Sequence, residues 1–580
     1  MWNRLTLSNI ALLFLDLILI VFLVFDFGFK NFQEVREYKI IALPCLVFAL
    51  IAFNVYKYRI FKKRGQNGTI PKINLIYLSF LVVFEMVFAL LNSEQTLAQD
   101  MFNARYILEY GLLFYFLTRL SFLLRRIYAL YFNPAILFVG SFGLIAIVGT
   151  FLLMLPAATV NGISFVDAFF TATSATAVTG LIVVDTAFDF TPFGQTVIMV
   201  LFQLGGLGML TFTSFFAYFF KTGASYRESL YMQNILGHDQ LGGVMSRVMQ
   251  IVVFSLIVEA FGALLIYVSL SPEAVEERGF FAIFHAISAY CNAGFSLASD
   301  GLYDVGLRFN YFMQWTVMVL IVFGGLGYHI AYNVMQYLRH FIANIFKGRR
   351  KKFIARVVLL NTKITLVTTA ILIVAGTVFF LFSEQPTVLQ EHTTNFGKLT
   401  TALFASVTSR TAGFNTVDMA DFTIPGILFM IFLMWVGASP ASTGGGIKTT
   451  TFALATLNII TVARDSPYIE IGTRRVASDA VKRAFAIISI SLVIIGTGIL
   501  LLLIFNPEFS LIQIAFEVFS AYSTVGLSMG ITASLSEHSK YVIIFIMFLG
   551  RIGLLNLMIG LLRSMNQSAY QYPEENIMIN

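Results

Sequence analysis

Long apolar runs, broken by short polar or basic stretches, recur from one end of the chain to the other. A run of about 20 apolar residues is long enough to cross a bilayer as a helix. Four such runs come first, over 9–29, 40–56, 73–91 and 106–124. The last carries Glu109 and Arg119 and is the weakest of them. The first lacks a small-residue cleavage site and reads as a retained helix, not a signal peptide.

A larger pattern then runs four times: a long helix, a short apolar segment, a glycine-centred loop and a second long helix. The first unit has 134–155, then "SFVDAFFTATSATAVTGL", then 194–213. The second has 249–270, "GFFAIFHAISAYCNAGFSL" and 311–334. The third has 364–382, "NFGKLTTALFASVTSRTAGFNTVD" and a helix from Ile424. The fourth has 485–505, "SLIQIAFEVFSAYSTVGLSMG" and 541–562. Gly180, Gly294, Gly413 and Gly526 fall at successive separations of 114, 119 and 113 residues. The second helices echo one another too, in "LGGLGML", "FGGLGYH", "VGASP" and "LGRIGLL". These boundaries divide the chain into extra transmembrane helices over 1–130 and pore units over 131–222, 245–340, 360–462 and 482–580. The last unit ends in a cytoplasmic carboxyl terminus.

The segment before each glycine spans about half a bilayer at the usual rise per residue. Non-helical backbone at membrane depth must be buried in protein or line water. Each unit therefore reads as helix, half-helix, re-entrant loop and helix, and four such loops about one axis would surround a narrow path. Backbone carbonyls there would replace a cation's hydration shell, and glycine permits the backbone conformations this needs. The oxygens expected around the ion belong to Thr176, Val178, Thr179 and Gly180; Asn292, Ala293 and Gly294; Thr411, Ala412 and Gly413; and Thr524, Val525 and Gly526. Each half-helix aims its partially negative carboxyl end at the centre, which favours a cation. Asp185, Asp300 and Asp418 follow three of the loops, as a cation-concentrating mouth or as solvated loop residues.

Composition agrees with the membrane reading. Only 12% of the 580 residues are charged, and the mean hydropathy is +0.81. The formal charge of +7 is placed by topology. With the amino terminus inside, the basic loops at 57–72, 221–247, 339–363 and 464–483 are cytoplasmic. Both termini then lie inside, with twelve crossings if 106–124 spans, and the glycine loops face outward. Cys45 and Cys291 argue against a disulfide framework, and the six histidines have no metal-ligand spacing on one helix face.

In their order, "TSATAVTGL", "CNAGFS", "TSRTAGFNT" and "STVGLSMG" resemble the four filter loops of the Trk/Ktr/HKT superfamily of potassium transporters, in the style of its bacterial TrkH and KtrB members. The resemblance runs from about residue 134 to the carboxyl terminus. It implies an all-α membrane protein with four pseudo-repeated helix–pore-loop–helix units around a central ion pathway. It also puts the filter glycines at Gly180, Gly294, Gly413 and Gly526. Some members carry serine in the first loop and favour sodium, whereas Gly180 leans toward K+. Family members form homodimers on a cytosolic ring of nucleotide-binding regulatory subunits of TrkA/KtrA type. The basic loops around 347–363 and 464–483 are the expected contacts.

The third unit's second helix is interrupted by "GASPASTGGGIKTTT", with Pro440 and Gly444, Gly445 and Gly446. Neither residue type suits a helix interior, so a flexible loop facing the pathway is expected. It resembles the family's intramembrane gating loop. It does not match a phosphate-binding loop, which needs glycine directly before the lysine; here Ile447 precedes Lys448. Lys448 belongs to this gate or snorkels to the inner face. Arg551 replaces the second glycine of the pair seen at Gly206 and Gly325. A charge at mid-membrane is costly unless paired or wet, so Arg551 would repel cations, hold the loop through its carbonyls, or bond between helices. Arg410 is expected to brace the third loop. Glu517 is expected to accept hydrogen bonds from a neighbouring loop, and Glu259 reads as structural.

The function expected is K+ uptake across the bacterial inner membrane, with K+ as the transported ion and no organic cofactor. The alternative is Na+-coupled or less selective Na+/K+ transport. An enzyme would show paired carboxylates, a metal cluster or an activated nucleophile, and no such constellation stands out.

Overall fold

The computed structural model describes residues 7–29, 45–59, 69–91, 111–112, 115, 134–208, 244–272, 275, 277–346, 358–440, 442–472 and 474–553. Over these residues the chain is mostly helical. Three amino-terminal helices, α1 (Leu7–Gly28), α2 (45–59) and α3 (Thr69–Leu91), pack together through Leu19, Leu23, Val47, Leu50 and Leu78. Leu112 and Tyr115 join this cluster, and Asn54 donates to the Tyr115 hydroxyl. The rest of the fourth expected segment, 106–124, lies outside the described residues.

The next helices are α4 (Pro134–Leu153), α5 (Phe165–Ala177), α6 (Pro192–Leu207), α7 (Val244–Ser269), α8 (Arg278–Cys291), α9 (Tyr311–Leu326) and α10 (Tyr328–Phe346). They are followed by α11 (Leu360–Ser383), α12 (Asn395–Thr408), α13 (Ile424–Trp435), α14 (Thr449–Ala463), α15 (Ser478–Phe505), α16 (Leu511–Ser523) and α17 (Glu537–Ile552). A two-residue hairpin, β1 (Glu470–Ile471) against β2 (Arg474–Arg475), interrupts the basic loop before α15.

The short helices α5, α8, α12 and α16 have 13, 14, 14 and 13 residues. At about 1.5 Å per residue, each is too short for a hydrocarbon core of about 30 Å. Their starts are set locally. Ser164 and Thr394 each accept an amide N–H as caps, and Ser510 with Gln513 forms a reciprocal capping box. Each short helix packs on the long helix before it: α5 on α4, α8 on α7, α12 on α11 and α16 on α15. The contacts also run sideways, α6 with α8, α9 with α12, α13 with α16 and α17 with α5, so the series closes on itself. Lys540 of α17 seals the last junction, 2.7 Å from Asp167 at the start of α5.

Most of the short helices is buried, whereas the long ones show apolar residues outward. Phe151 is 61% exposed, Ile257 63%, Ile371 60% and Val493 68%, a surface suited to lipid. Met249–Ser269, Leu360–Ser383 and Ser478–Phe505 are each long and apolar enough to cross a membrane, and Tyr311–Leu326 with Tyr328–Ile342 is so only as a pair bent by 102°.

That bend corrects the sequence reading, which ran the second helices of the first, second and fourth units straight through 194–213, 311–334 and 541–562. The helices end instead at Gly208, Gly327 and Gly553, with φ of 75°, 75° and 78°. A right-handed helix cannot continue through a residue at positive φ. Residues 209–213 and 554–562 lie outside the described residues.

Just before α12, His392 staples two elements. Its ring nitrogens lie 3.0 Å from the Tyr311 hydroxyl at the start of α9 and 2.9 Å from Thr401 of α12. Burial pushes its pKa below the usual value, against the pull of Glu391 and with the push of Arg308. Below about pH 6.5 the unfolded chain takes up a proton that the folded one resists. The staple's contribution is complete above that pH and is lost as pH falls below it. Thermal unfolding of purified protein is expected at a lower Tm at about pH 5.5 than at about pH 7.5. His392→Gln should narrow that gap; an unchanged gap would assign it to other groups.

Candidate functional site

Three short helices end in residues with left-handed backbone: Val178 (φ 56°), Asn292 (φ 59°) and Thr524 (φ 50°). In the third unit Ser409 caps α12 in right-handed geometry, and the left-handed residue is Thr411 (φ 69°). Two residues after each comes a second positive φ, at Gly180, Gly294, Gly413 and Gly526. The residues between, Thr179, Ala293, Ala412 and Val525, are not left-handed. Left-handed backbone is strained for β-branched Val178, Thr411 and Thr524, so the surroundings must hold it.

Hydroxyls in the preceding helix turns do part of the holding. Ser174 accepts from Gly180 N and donates to Leu181 O at 2.7 Å. Ser288 donates to Phe295 O at 2.8 Å, Thr408 to Phe414 O at 2.6 Å, and Ser520 accepts from Gly526 N at 3.1 Å. Sequence reasoning passed over these four residues. Their legible trace was a hydroxyl five or six positions before each glycine.

The four glycines meet. A Cβ on Gly180 would strike Ala293 O and lie 3.0 Å from the Gly294 Cα; one on Gly294 would lie 2.9 Å from Ala412 O and 3.0 Å from the Gly413 Cα. A Cβ on Gly413 would reach Val525 O at 2.5 Å and the Gly526 Cα at 3.2 Å; one on Gly526 would strike Thr179 O beside Gly180. The four loops therefore adjoin in a cycle, backbone against backbone. The carboxyl ends of α5, α8, α12 and α16 lie just behind them. Thr176 stands apart: it lies inside α5 and its hydroxyl donates to Ala172 O.

The second helices leave room for this. A Cβ on Gly205, Gly324 or Gly550 would run into Thr176 O, Tyr290 O or Tyr522 O. Each is the carbonyl two residues before a left-handed cap. The repeated glycines noticed in the sequence thus seat the ends of α5, α8 and α16.

The interrupted stretch after α13 is pinned rather than loose. Gly437 N donates to Ile447 O at 2.8 Å, and Ser439 N to Gly325 O at 3.0 Å. Ser439 Oγ donates to Leu326 O at 2.5 Å. Thr443 donates to Gly324 O through its amide, and its hydroxyl lies 3.3 Å from Asn292 Oδ1. Of these acceptors, Gly324, Gly325 and Leu326 O belong to the last turn of α9, where carbonyls run short of helical partners. Gly444 sits against Thr411, Gly445 against Thr524 and Gly446 against Ser523, too closely for a Cβ at the first two. Lys448 does not snorkel; its Nζ turns back on Gly444 O at 2.5 Å. Arg551 donates one Nη to Thr443 O in this loop and the other to Gly205 O.

The remaining residues find local roles. Arg410 donates to Thr369 O and to Gly437 O at 3.2 Å, tying the third glycine loop to the start of the pinned stretch. Glu517 accepts from Ser528, Thr532 and Met529 N, all in the loop after Gly526. Asp185 and Asp418 accept amides two residues on, as turn formers, and Asp300 is exposed. Among the described residues no cluster of His, Cys, Asp and Glu could hold a metal ion. The oxygens gathered at the glycine cycle are carbonyls and hydroxyls.

A family model described as "TrkH: Cation transport protein" matches residues 123–571. "Ktr system potassium uptake protein B" of Vibrio alginolyticus is 39% identical over 430 residues, covering 74% of this chain and 90% of that protein. "Potassium/sodium uptake protein NtpJ" of Enterococcus hirae is 33% identical over 455 residues, covering 77% and 97%. The crystal structure of the potassium transporter TrkH from Vibrio parahaemolyticus superposes with a TM-score of 0.59 at 18% identity, over 85% of this chain and 97% of that one, a likeness of fold.

The glycine contacts make a prediction. Gly413→Ala must move two neighbouring backbones, whereas Gly530→Ala, at φ 83° with nothing within 4 Å, adds only the strain of left-handed alanine, about 1–2 kcal/mol. The Tm of purified protein should fall further for Gly413→Ala than for Gly530→Ala. Equal falls would mean the loops do not approach this closely.

Proposed function

Because the chain belongs to the TrkH family of cation transport proteins, a family of transporters and not of enzymes, we propose that it takes up K+ across the bacterial plasma membrane through a central pathway lined by the four glycine loops. The observation that carries this reading is the cycle of glycines, each against its neighbour's backbone, with four helix carboxyl ends behind it. Such a ring offers oxygens at close range and partial negative charge without a carboxylate. It can take the place of water around a single cation. On this reading the four units surround one pathway, and the filter oxygens come from Val178–Gly180, 292–294, 411–413 and 524–526.

The gate in this proposal is the stretch around Gly444, Gly445, Gly446 and Lys448, with Arg551 as its latch. The stretch lies against Asn292, Thr411 and Thr524, directly behind the glycines. Arg551 adds a positive charge and a bond to the loop carbonyl of Thr443. Opening requires that these bonds break and the glycine-rich stretch swing aside. The same proposal includes a homodimer, twelve crossings with both termini cytoplasmic, and a cytosolic nucleotide-binding regulatory subunit that meets the basic inner loops. A relative named for both potassium and sodium supports a second reading, a less selective K+/Na+ pathway.

Rubidium uptake into proteoliposomes tests the reading. Uptake should be blocked by K+ and weakly affected by Na+, and Gly413→Ser should reduce that preference. Equal competition by Na+ would favour the second reading, and absence of uptake would overturn both. Arg551→Ala, and separately deletion of residues 442–446, should raise basal flux severalfold; a folded variant with unchanged flux would remove the latch.

A further inference from the structure

Three polar side chains next to the second glycine loop, Glu259 and Cys291 buried and Gln203 half-buried, have no part in the filter or the gate as described above. Glu259 of α7 is 3% exposed. Gln203 of α6 reaches it with one amide nitrogen, 3.0 and 2.9 Å from the two carboxyl oxygens. That orientation turns the Gln203 carbonyl oxygen the other way, where it accepts from Cys291 Sγ at 3.3 Å. Cys291 is the last residue of α8 and immediately precedes the left-handed Asn292.

The neighbouring contacts converge on the same two residues. Ser255 lies one turn before Glu259 on α7, on the same face, and its hydroxyl is 2.8 Å from that of Tyr290. So α7 holds Tyr290 directly and Cys291 through Gln203. Gly206 makes the second hold possible, since a Cβ there would sit 2.5 Å from Cys291 Sγ. Gln203 also stands two residues before Gly205, whose carbonyl receives Arg551. One amide side chain therefore connects the second filter loop to the last turn of α6, where the latch is seated.

We propose that Gln203, oriented by Glu259, is a positioning residue that sets the height of the second filter loop and, through it, the preference for K+ over Na+. The inference rests on the ion-pathway reading above. An amide is suited to the place because it donates to the carboxyl and accepts from the thiol at once. A loop held only by packing is free to shift by fractions of an ångström, and discrimination between two alkali cations depends on where its carbonyls stand.

The test is competitive rubidium uptake with Na+ in proteoliposomes, alongside thermal unfolding of the same preparations. Gln203→Leu should lower the K+-over-Na+ preference about fivefold, in the range of energies that such coupled networks carry, while folded protein still transports. The exchange Gln203→Glu with Glu259→Gln keeps one carboxyl and one amide and should restore the preference. Glu259→Gln alone should fall between, and it decides the matter if Gln203→Leu does not fold. Lower stability with an unchanged preference in the folded variants would overturn the proposal, as would an exchange that restores nothing. Loss of rubidium uptake by the wild type would instead strike the ion-pathway reading.

Discussion

Everything at the centre of this molecule depends on four backbones approaching one another without side chains between them. Each of Gly180, Gly294, Gly413 and Gly526 lies where a Cβ would meet the next loop's carbonyl or Cα. Each also takes a positive φ that other residues rarely adopt. The two demands coincide, and glycine alone meets both. A short helix too brief to cross the bilayer delivers each loop to that point, and the hydroxyls of Ser174, Ser288, Thr408 and Ser520 tie the loop's own backbone.

A second layer follows from how the neighbouring helices end. Where α9 stops at Gly327, the carbonyls of Gly325 and Leu326 lack helical partners and Gly324 O keeps only the capping Gly327 N–H. The stretch after α13 supplies them through Ser439 and Thr443. Gly205 O plays the same part for Arg551. The half-buried Arg551 thereby obtains two carbonyl acceptors, which a charge within an apolar protein interior needs. The same helix ends that would be a liability in lipid become the points where the glycine-rich stretch is held.

Fold, family and function rest on different grounds. Likeness to a solved transporter at 18% identity carries the architecture. Membership of the family rests on the match over residues 123–571. The proposed ion and gate rest on the chemistry of the residues brought together. Gln203 illustrates the difference, since nothing in the repeats singles it out and its two contacts lie on α7 and α8.

The amino-acid sequence by itself determined the membrane-helical class, the fourfold recurrence and the glycines at its centre. Those features are local and periodic: apolar runs, helix breakers and spacing. It also pointed to Arg551 as a departure within a repeated glycine pair, because a charge in an apolar run stands out in any context. Tertiary structure decided what the spacing could not. The straight second helices expected over 311–334 and its counterparts break at glycines that look innocuous within apolar runs. Thr176 proved to belong to α5, and Lys448 turned toward its own loop. The most distant partners of Arg551, Gln203 and His392 lie 346, 88 and 81 residues away along the chain. Contacts that distant leave no periodic trace, since they depend on which helix ends the fold brings side by side.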